Sequence, residues 1–288
     1  MAGWSRISAS RPPTASCCGF APPAASRLRV GESSTPVPTA LREAVAAIYA
    51  FARSADDIAD EGDLPAAERR HRLAAYAAQL EAIAAGAMPD APMFARLAQA
   101  IRRHDLPLQP FRDLLDAFSQ DTMKNRYADF GELRDYCRRS ADPIGRLLLR
   151  LYRKESPEQL AQADAICTGL QLINHWQDVA IDWSRDRVYL PQDSLRRFGV
   201  DEAQIAAGRC DERWRALLAF ETQRARSFMC DGRNLGRSLP GRIGLELRLI
   251  VAGGLRILEK IERAGYDVFR RRPTLRAYDW PLLLLRSA

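Results

Sequence analysis

The chain has 288 residues, 47% of them hydrophobic and 27% charged, a balance that fits a globular protein with a sizeable core and excludes a collagen-like or wholly disordered chain. Its formal charge of +7 invites an anionic partner, but 40 of the 43 basic residues are arginines spread along the whole length without interleaved aromatic clusters, which argues against a nucleic-acid partner. An acidic membrane surface or a phosphorylated substrate remains compatible with that charge.

Residues 1–31 hold four arginines and no acid, and Pro12, Pro13, Pro22, Pro23, Pro36 and Pro38 crowd the first forty positions. Residues 1–38 therefore read as a poorly structured segment, similar in composition to a transit peptide but without the continuous apolar core of a secretory signal. A single all-α domain is expected over residues 39–288. The six cysteines, Cys17, Cys18, Cys137, Cys167, Cys210 and Cys230, form no CxxC pair and have no histidine at ligand spacing. That excludes a zinc or disulfide framework and suits reduced thiols in a cytoplasmic protein. No run of about 18 apolar residues is present, so a spanning helix is not expected.

From Thr39 onward the apolar spacing predicts helices over 40–60, 66–86, 91–104, 108–123, 129–139, 143–153, 157–182, 192–198, 201–207, 210–235, 239–264 and 274–284. Breaks such as EGDLP, MPDAP, DLPLQP and KESPEQ separate them. No β-branched alternation persists for more than a few positions. The expected class is an all-α bundle, whose sites are built from side chains on facing helices.

The first predicted helix ends in IYAFARSADDIADEGD, where Asp56, Asp57, Asp60 and Glu61 stand together. Like charges at i,i+4 oppose each other, and acids at a helix C-terminus also oppose the macrodipole. Asp56 and Asp60 continue a stripe that includes Tyr49 and Ala52, so they are expected to face inward. A second series follows in LQLINHWQDVAIDWSRDRVYLP, where Asn174, Asp178 and Asp182 recur at i,i+4 within apolar residues. Two such helices facing each other need cations between them. Clustered carboxylate and amide oxygens suit Mg²⁺, which takes one or two carboxylates plus substrate phosphate oxygens and water. Asp56, Asp60, Asn174, Asp178 and Asp182 are the expected metal ligands, and a diphosphate is the implied partner.

His71, His104 and His175 are too few and too scattered for a zinc-type centre. His175 lies about 100° around the helix from Asn174 and is expected to pack. There is no GxSxG, Walker loop or GxGxxG.

DDIAD and NHWQDVAIDWSRDRVYLP resemble the DxxxD and NxxxDxxxD…RVYLP signatures of the squalene and phytoene synthase family. The segment QDTMKNRYADFGELRDYCRRSADPIGRLLLRLY resembles the family's central block through Asp121, Arg126, Tyr127, Tyr136, Cys137 and Gly145. The resemblance covers roughly residues 40–272. AIYAFARSADDIADEGD and YCRRSADPIGR look most like its hydroxysqualene synthase branch, found in bacterial hopanoid pathways. Departures are Asp186 where a Gly usually precedes RVYLP, Asp142 where an Asn is usual, and an atypical opening before Leu41 around Ser33 and Ser34.

The resemblance implies a class I isoprenoid synthase bundle around a central apolar cavity. It further implies conversion of presqualene diphosphate to hydroxysqualene by diphosphate ionisation, carbocation rearrangement and water capture, with more than one Mg²⁺ ion and no nicotinamide cofactor. The nearer alternative is head-to-head condensation of two farnesyl or geranylgeranyl diphosphates to presqualene diphosphate, squalene or phytoene; the distant one is a non-catalytic helical assembly subunit. The expected catalytic set is Asp56, Asp60, Asp178, Asp182 and Tyr136. Arg53, Asp57, Asp121, Asn174, Arg187 and Tyr189 are expected to bind the substrate or its diphosphate. Phe51, Tyr127 and Trp176 join Tyr136 as candidates to stabilise a carbocation through their ring faces. Also implied are peripheral contact with the inner membrane face and functional coupling to other squalene-pathway enzymes.

Overall fold

The structure, a computed structural model, describes residues 39–60 and 62–287. The expectations for residues 1–38, including Ser33 and Ser34, and for Glu61 lie outside the described residues. Among the described residues fourteen α-helices follow in order: α1 (Thr39–Asp60), α2 (Ala66–Ala84), α3 (Pro92–His104), α4 (Gln109–Asp121), α5 (Phe130–Ser140), α6 (Asp142–Leu151), α7 (Pro157–Gln177), α8 (Val179–Trp183), α9 (Gln192–Phe198), α10 (Glu202–Ala206), α11 (Glu212–Gly232), α12 (Leu235–Ser238), α13 (Gly241–Arg263) and α14 (Trp280–Ser287). Among the described residues the one extended pairing is an isolated bridge between Arg126 and Val188. The all-α expectation holds.

Local chemistry sets many of the starts. Ser156 and Gln159 form a reciprocal capping box at α7, while the carboxylates of Asp129, Asp201 and Asp211 accept from backbone N–H groups at the starts of α5, α10 and α11. Two apolar cores result. The first gathers Ile48, Phe51, Ala52 and Ala55 of α1 with Leu73, Phe94, Leu97, Phe111 and Leu114 from α2, α3 and α4. The second is built on α5, α7, α11 and α13 around Trp176, Trp214, Leu217, Met229 and Leu258.

α6 is the shared wall. It sends Leu147 and Leu151 into the first core and Leu149 into the second. α7 and α11 make the most extensive helix contact, and Gly232 permits it: a Cβ there would stand 2.7 Å from the Gln162 carbonyl oxygen. α1 packs on α2, α3, α4 and α6, whereas α7 packs on α5, α6, α11 and α13, which leaves the two acid-bearing helices on opposite sides of the seam between the cores.

Three predicted boundaries are corrected. The helix expected over 157–182 breaks at Asp178 (φ −105°, ψ 12°), where the Asp178 carboxylate is held by Arg272 and the neighbouring Gln177 side chain donates to the Pro273 carbonyl. The helix expected over 210–235 ends at Gly232, and α12 follows as a separate turn. The terminal helix expected over 274–284 begins only at Trp280, after a 3₁₀ turn at Ala277–Asp279. Pro281 explains that shift, since proline lacks an N–H and is tolerated only in a helix's first turn.

Candidate active site

The last turns of α1 supply the first acids. Asp56 is 2% exposed, with Asp57 and Asp60 partly covered beside it. Arg53, one turn earlier, places Nη2 2.7 Å from Asp57 Oδ1 and Nη1 3.5 Å from Asp56 Oδ2. On the other side of the seam Asn174 is half-buried, while Asp178 and Asp182 are buried. The break at Asp178 keeps the i,i−4 backbone bonds on both sides, Asp178 N to Asn174 O and Asp182 N to Asp178 O, so the three side chains stay in one series.

The chain then turns back through Asp186, whose φ of +57° is left-handed. Gly is usual in such a conformation; here Asp is tolerated and its carboxylate accepts from Asn125 Nδ2 at 2.7 Å and Arg126 Nη2 at 2.9 Å. Arg126 is itself anchored by Glu202. This turn delivers Arg187 Nη1 to 2.7 Å from Asp60 Oδ1, with Arg185 3.6 Å from the other oxygen. Arg187 also donates to the Asp121 carbonyl at 3.4 Å.

The electrostatics tie both motifs to one place. Burial raises the Asp121 carboxyl to about 8 against the pull of Arg187, with Asp60 and Asp56 adding to the rise, so it keeps its proton at neutral pH while Tyr136 Oη–H donates to it at 2.8 Å. Asp182 is pushed well above the usual carboxylate range by burial, Asp178 adding, Arg187 and Arg185 opposing, and Asp60 across the seam adding again. His175 is held down to about 3 by burial and by Arg187. It is neutral and stacked on Tyr189 at 3.7 Å, so it packs as expected. Tyr127 and Tyr136 complete this aromatic wall, at 5.7 and 5.9 Å from Tyr189. Phe51 packs between Phe94 and Phe111, and the Trp176 indole donates to the Glu221 carbonyl; both therefore serve the cores.

Asp142, at the usual Asn position, is fully buried and accepts from Thr168 Oγ1 at 2.8 Å. Beyond it an apolar cavity of about 50 Å³ lies between α6, α7 and α13, walled by Gly145, Leu148, Cys167, Leu170, Leu247 and Ile250. Leu170 is one turn before Asn174, so the cavity continues the same face of α7 that carries the polar series. A Cβ at Gly145 would meet Cys167 Sγ at 2.8 Å, so the glycine keeps α6 close to α7.

Among the described residues no three Asp, Glu, His or Cys side chains form a preformed cage. The donors fit Mg²⁺ all the same: they are hard oxygens, Mg²⁺ needs only one or two carboxylates beside phosphate and water, and the repulsion that Asp178 and Asp60 exert on the buried Asp182 is what a cation would relieve. Two residues were missed in the sequence. Arg272 grips Asp178 from 94 positions away, with Nη2 3.0 Å from Oδ2, and no spacing links them. Arg185 was signalled by the RDR run beside Arg187.

A profile described as squalene/phytoene synthase matches residues 33–279. A phytoene synthase of Arthrospira platensis is 35% identical over 253 residues, covering 82% of this chain and 80% of the relative. A hydroxysqualene synthase of Rhodopseudomonas palustris is 34% identical over 223 residues, covering 77% and 75%. Among solved structures, squalene synthase HpnC from Alicyclobacillus acidocaldarius superposes with a TM-score of 0.75 at 38% identity, covering 80% of this chain and 86% of that one. With the signatures, the helical bundle and these relatives in agreement, the chain belongs to the squalene/phytoene synthase family.

Proposed function

We propose that the protein converts presqualene diphosphate to hydroxysqualene. The observation that carries this reading is the Arg187–Asp60 contact, which joins the two acidic motifs across the seam between the two apolar cores. The hydroxysqualene synthase of R. palustris and the HpnC structure support it further. Asp56, Asp60, Asn174, Asp178 and Asp182 would hold Mg²⁺, which when bound neutralises charge on the leaving diphosphate. Arg53 and Arg187, aided by Arg185 and Arg272, exchange carboxylate partners for diphosphate oxygens, a geometry guanidinium groups suit. Asp57, Asp121 and Tyr189 shape the rim of that anion pocket. The C–O bond breaks with its electron pair leaving on the diphosphate. The faces of Tyr127 and Tyr136 stabilise the resulting cyclopropylcarbinyl cation while it rearranges, apolar walls limit water near it, and one water adds its oxygen to the rearranged cation as the ring bond opens, then loses a proton. No nicotinamide cofactor enters.

A second reading is favoured by the phytoene synthase relatives: head-to-head condensation of two farnesyl or geranylgeranyl diphosphates. Product analysis separates the two. The purified protein is incubated with Mg²⁺ and presqualene, farnesyl or geranylgeranyl diphosphate, with and without a nicotinamide reductant, and the lipid extract is analysed by mass. Hydroxysqualene from presqualene diphosphate without reductant supports the first reading; products only from the allylic diphosphates support the second. The substrate and product both partition into lipid, so the reading includes a cytoplasmic position at the inner membrane face and coupling to enzymes that supply or consume such lipids.

A further inference from the structure

Among the described residues, five of the eight exposed large hydrophobic side chains fall within positions 275–285: Leu275, Tyr278, Trp280, Leu284 and Leu285. The helix α14 is inverted relative to a surface helix of a soluble protein. Its inward side is set by Leu283 and Ser287, following the buried Asp279, whereas its outward side presents Trp280, Pro281, Leu284 and Leu285. Leu285 is 76% exposed and Leu284 54%, values that waste apolar area unless something covers it.

This segment is firmly built. Asp279 accepts from Arg256 Nε at 2.8 Å and pairs with Lys260, Arg286 pairs with Glu259 at 2.6 Å, and Arg248 Nε donates to the Ser287 carbonyl at 2.6 Å. The apolar face is therefore held outward by ion pairs beneath it. Along the segment positive charge predominates: residues 270–287 contain five arginines and a single acid, Asp279, which is buried and already paired, while Arg270 and Arg286 pair with Asp267 and Glu259 beside it. Arg271 and Arg276 are exposed and make no ion pair among the described residues.

We infer that this C-terminal face, Leu275 to Leu285 rimmed by Arg270, Arg271, Arg276 and Arg286, docks on an anionic lipid surface. A short apolar helix face with Trp and Tyr at its edge and arginines around it suits the boundary between acyl chains and phosphate headgroups. A second copy of the chain fits poorly, because the same face would bring like charges together. The segment also reaches the candidate site, since Arg272 holds Asp178 and the Pro273 carbonyl accepts from Gln177. Lipid docking thus sets the site mouth beside the bilayer, a consequence that rests on the proposed function; the docking itself does not.

Flotation of the purified full-length protein, without any prenyl diphosphate, tests this on phosphatidylcholine vesicles with and without phosphatidylglycerol. The parent is expected to float with the anionic vesicles and little with the neutral ones. The triple variant Trp280→Ser, Leu284→Ser, Leu285→Ser is expected to lower that partition by about tenfold or more. Arg271→Glu with Arg276→Glu should lower it too and flatten its dependence on phosphatidylglycerol. Circular dichroism and thermal melting confirm that each variant is folded. Absence of flotation, equal binding to neutral vesicles, or parental binding by the folded triple variant overturns the inference. So does a dimer in sedimentation equilibrium that the triple variant abolishes, which would give the face to a second copy. Turnover assayed separately in detergent keeps failure of the catalytic reading distinct from failure of docking.

Discussion

Arg187 Nη1 stands 2.7 Å from Asp60 Oδ1, so the turn that follows the second acidic motif neutralises the last acid of the first. The contact spans the seam between two apolar cores. It helps explain how helices rich in like charge close on each other: three of the acids are met by a guanidinium, Asp57 by Arg53, Asp60 by Arg187, and Asp178 by Arg272. Under the proposed function these are the groups for which a diphosphate would compete.

Arg187→Ala should lower kcat/KM by about 10²–10³-fold, the scale seen when one donor to a developing oxyanion is removed. Arg187→Lys should recover part of the loss, because it restores the charge without the planar fork. Steady-state kinetics decides this, and unchanged turnover in Arg187→Ala would remove the residue from the site.

Asp186 occupies a left-handed conformation that its hydrogen bonds to Asn125 and Arg126 help to hold. Asp186→Gly keeps the backbone but loses those bonds, and Asp186→Val adds steric strain of about 1–2 kcal/mol. Melting temperatures should rank parent and Asp186→Gly close together, with Asp186→Val clearly lowest.

Burial raises the Asp142 carboxyl to about 7 in the folded chain, whereas the unfolded chain releases that proton near pH ~4. The folded state therefore holds the extra proton between those values, and stability falls as pH rises from about 4 to about 7. Asp142→Asn keeps an acceptor for Thr168 and removes the penalty. Urea denaturation should show it more stable than the parent by on the order of 1–3 kcal/mol near pH 8 and little changed near pH 4.

Gly232→Ala should destabilise the chain by about 1–3 kcal/mol, since its Cβ would press on the Gln162 carbonyl across the α7–α11 contact. Gly253→Ala, within the helix α13, would meet only Leu275 Cδ1 at 3.4 Å, an ordinary contact. A smaller effect at Gly232 than at Gly253 in denaturation would contradict the packing described.

Much of this was legible in the chain because it is local. The Ile48, Phe51, Ala52, Ala55 and Ala59 spacing sets the buried face of α1, and Asp56 follows that face inward. Arg53 meets Asp57 at i,i+4, a pairing any helix produces. What escaped depends on contacts distant in sequence. The stop at Asp178 coincides with an Arg272 contact that no periodicity encodes, and Phe51 and Trp176 look like cavity aromatics until their partners in the cores are seen. The late start of α14 was readable in principle from Pro281, which the apolar LLLL run masked.

The most direct test compares the parent with Asp56→Ala and Asp178→Ala, one change on each side of the seam, by mass analysis of products from presqualene diphosphate with and without Mg²⁺. The parent should give hydroxysqualene only with Mg²⁺, and both variants should give none while retaining their helical circular dichroism. Product formation at the parental rate by either folded variant would contradict a shared site built from both motifs.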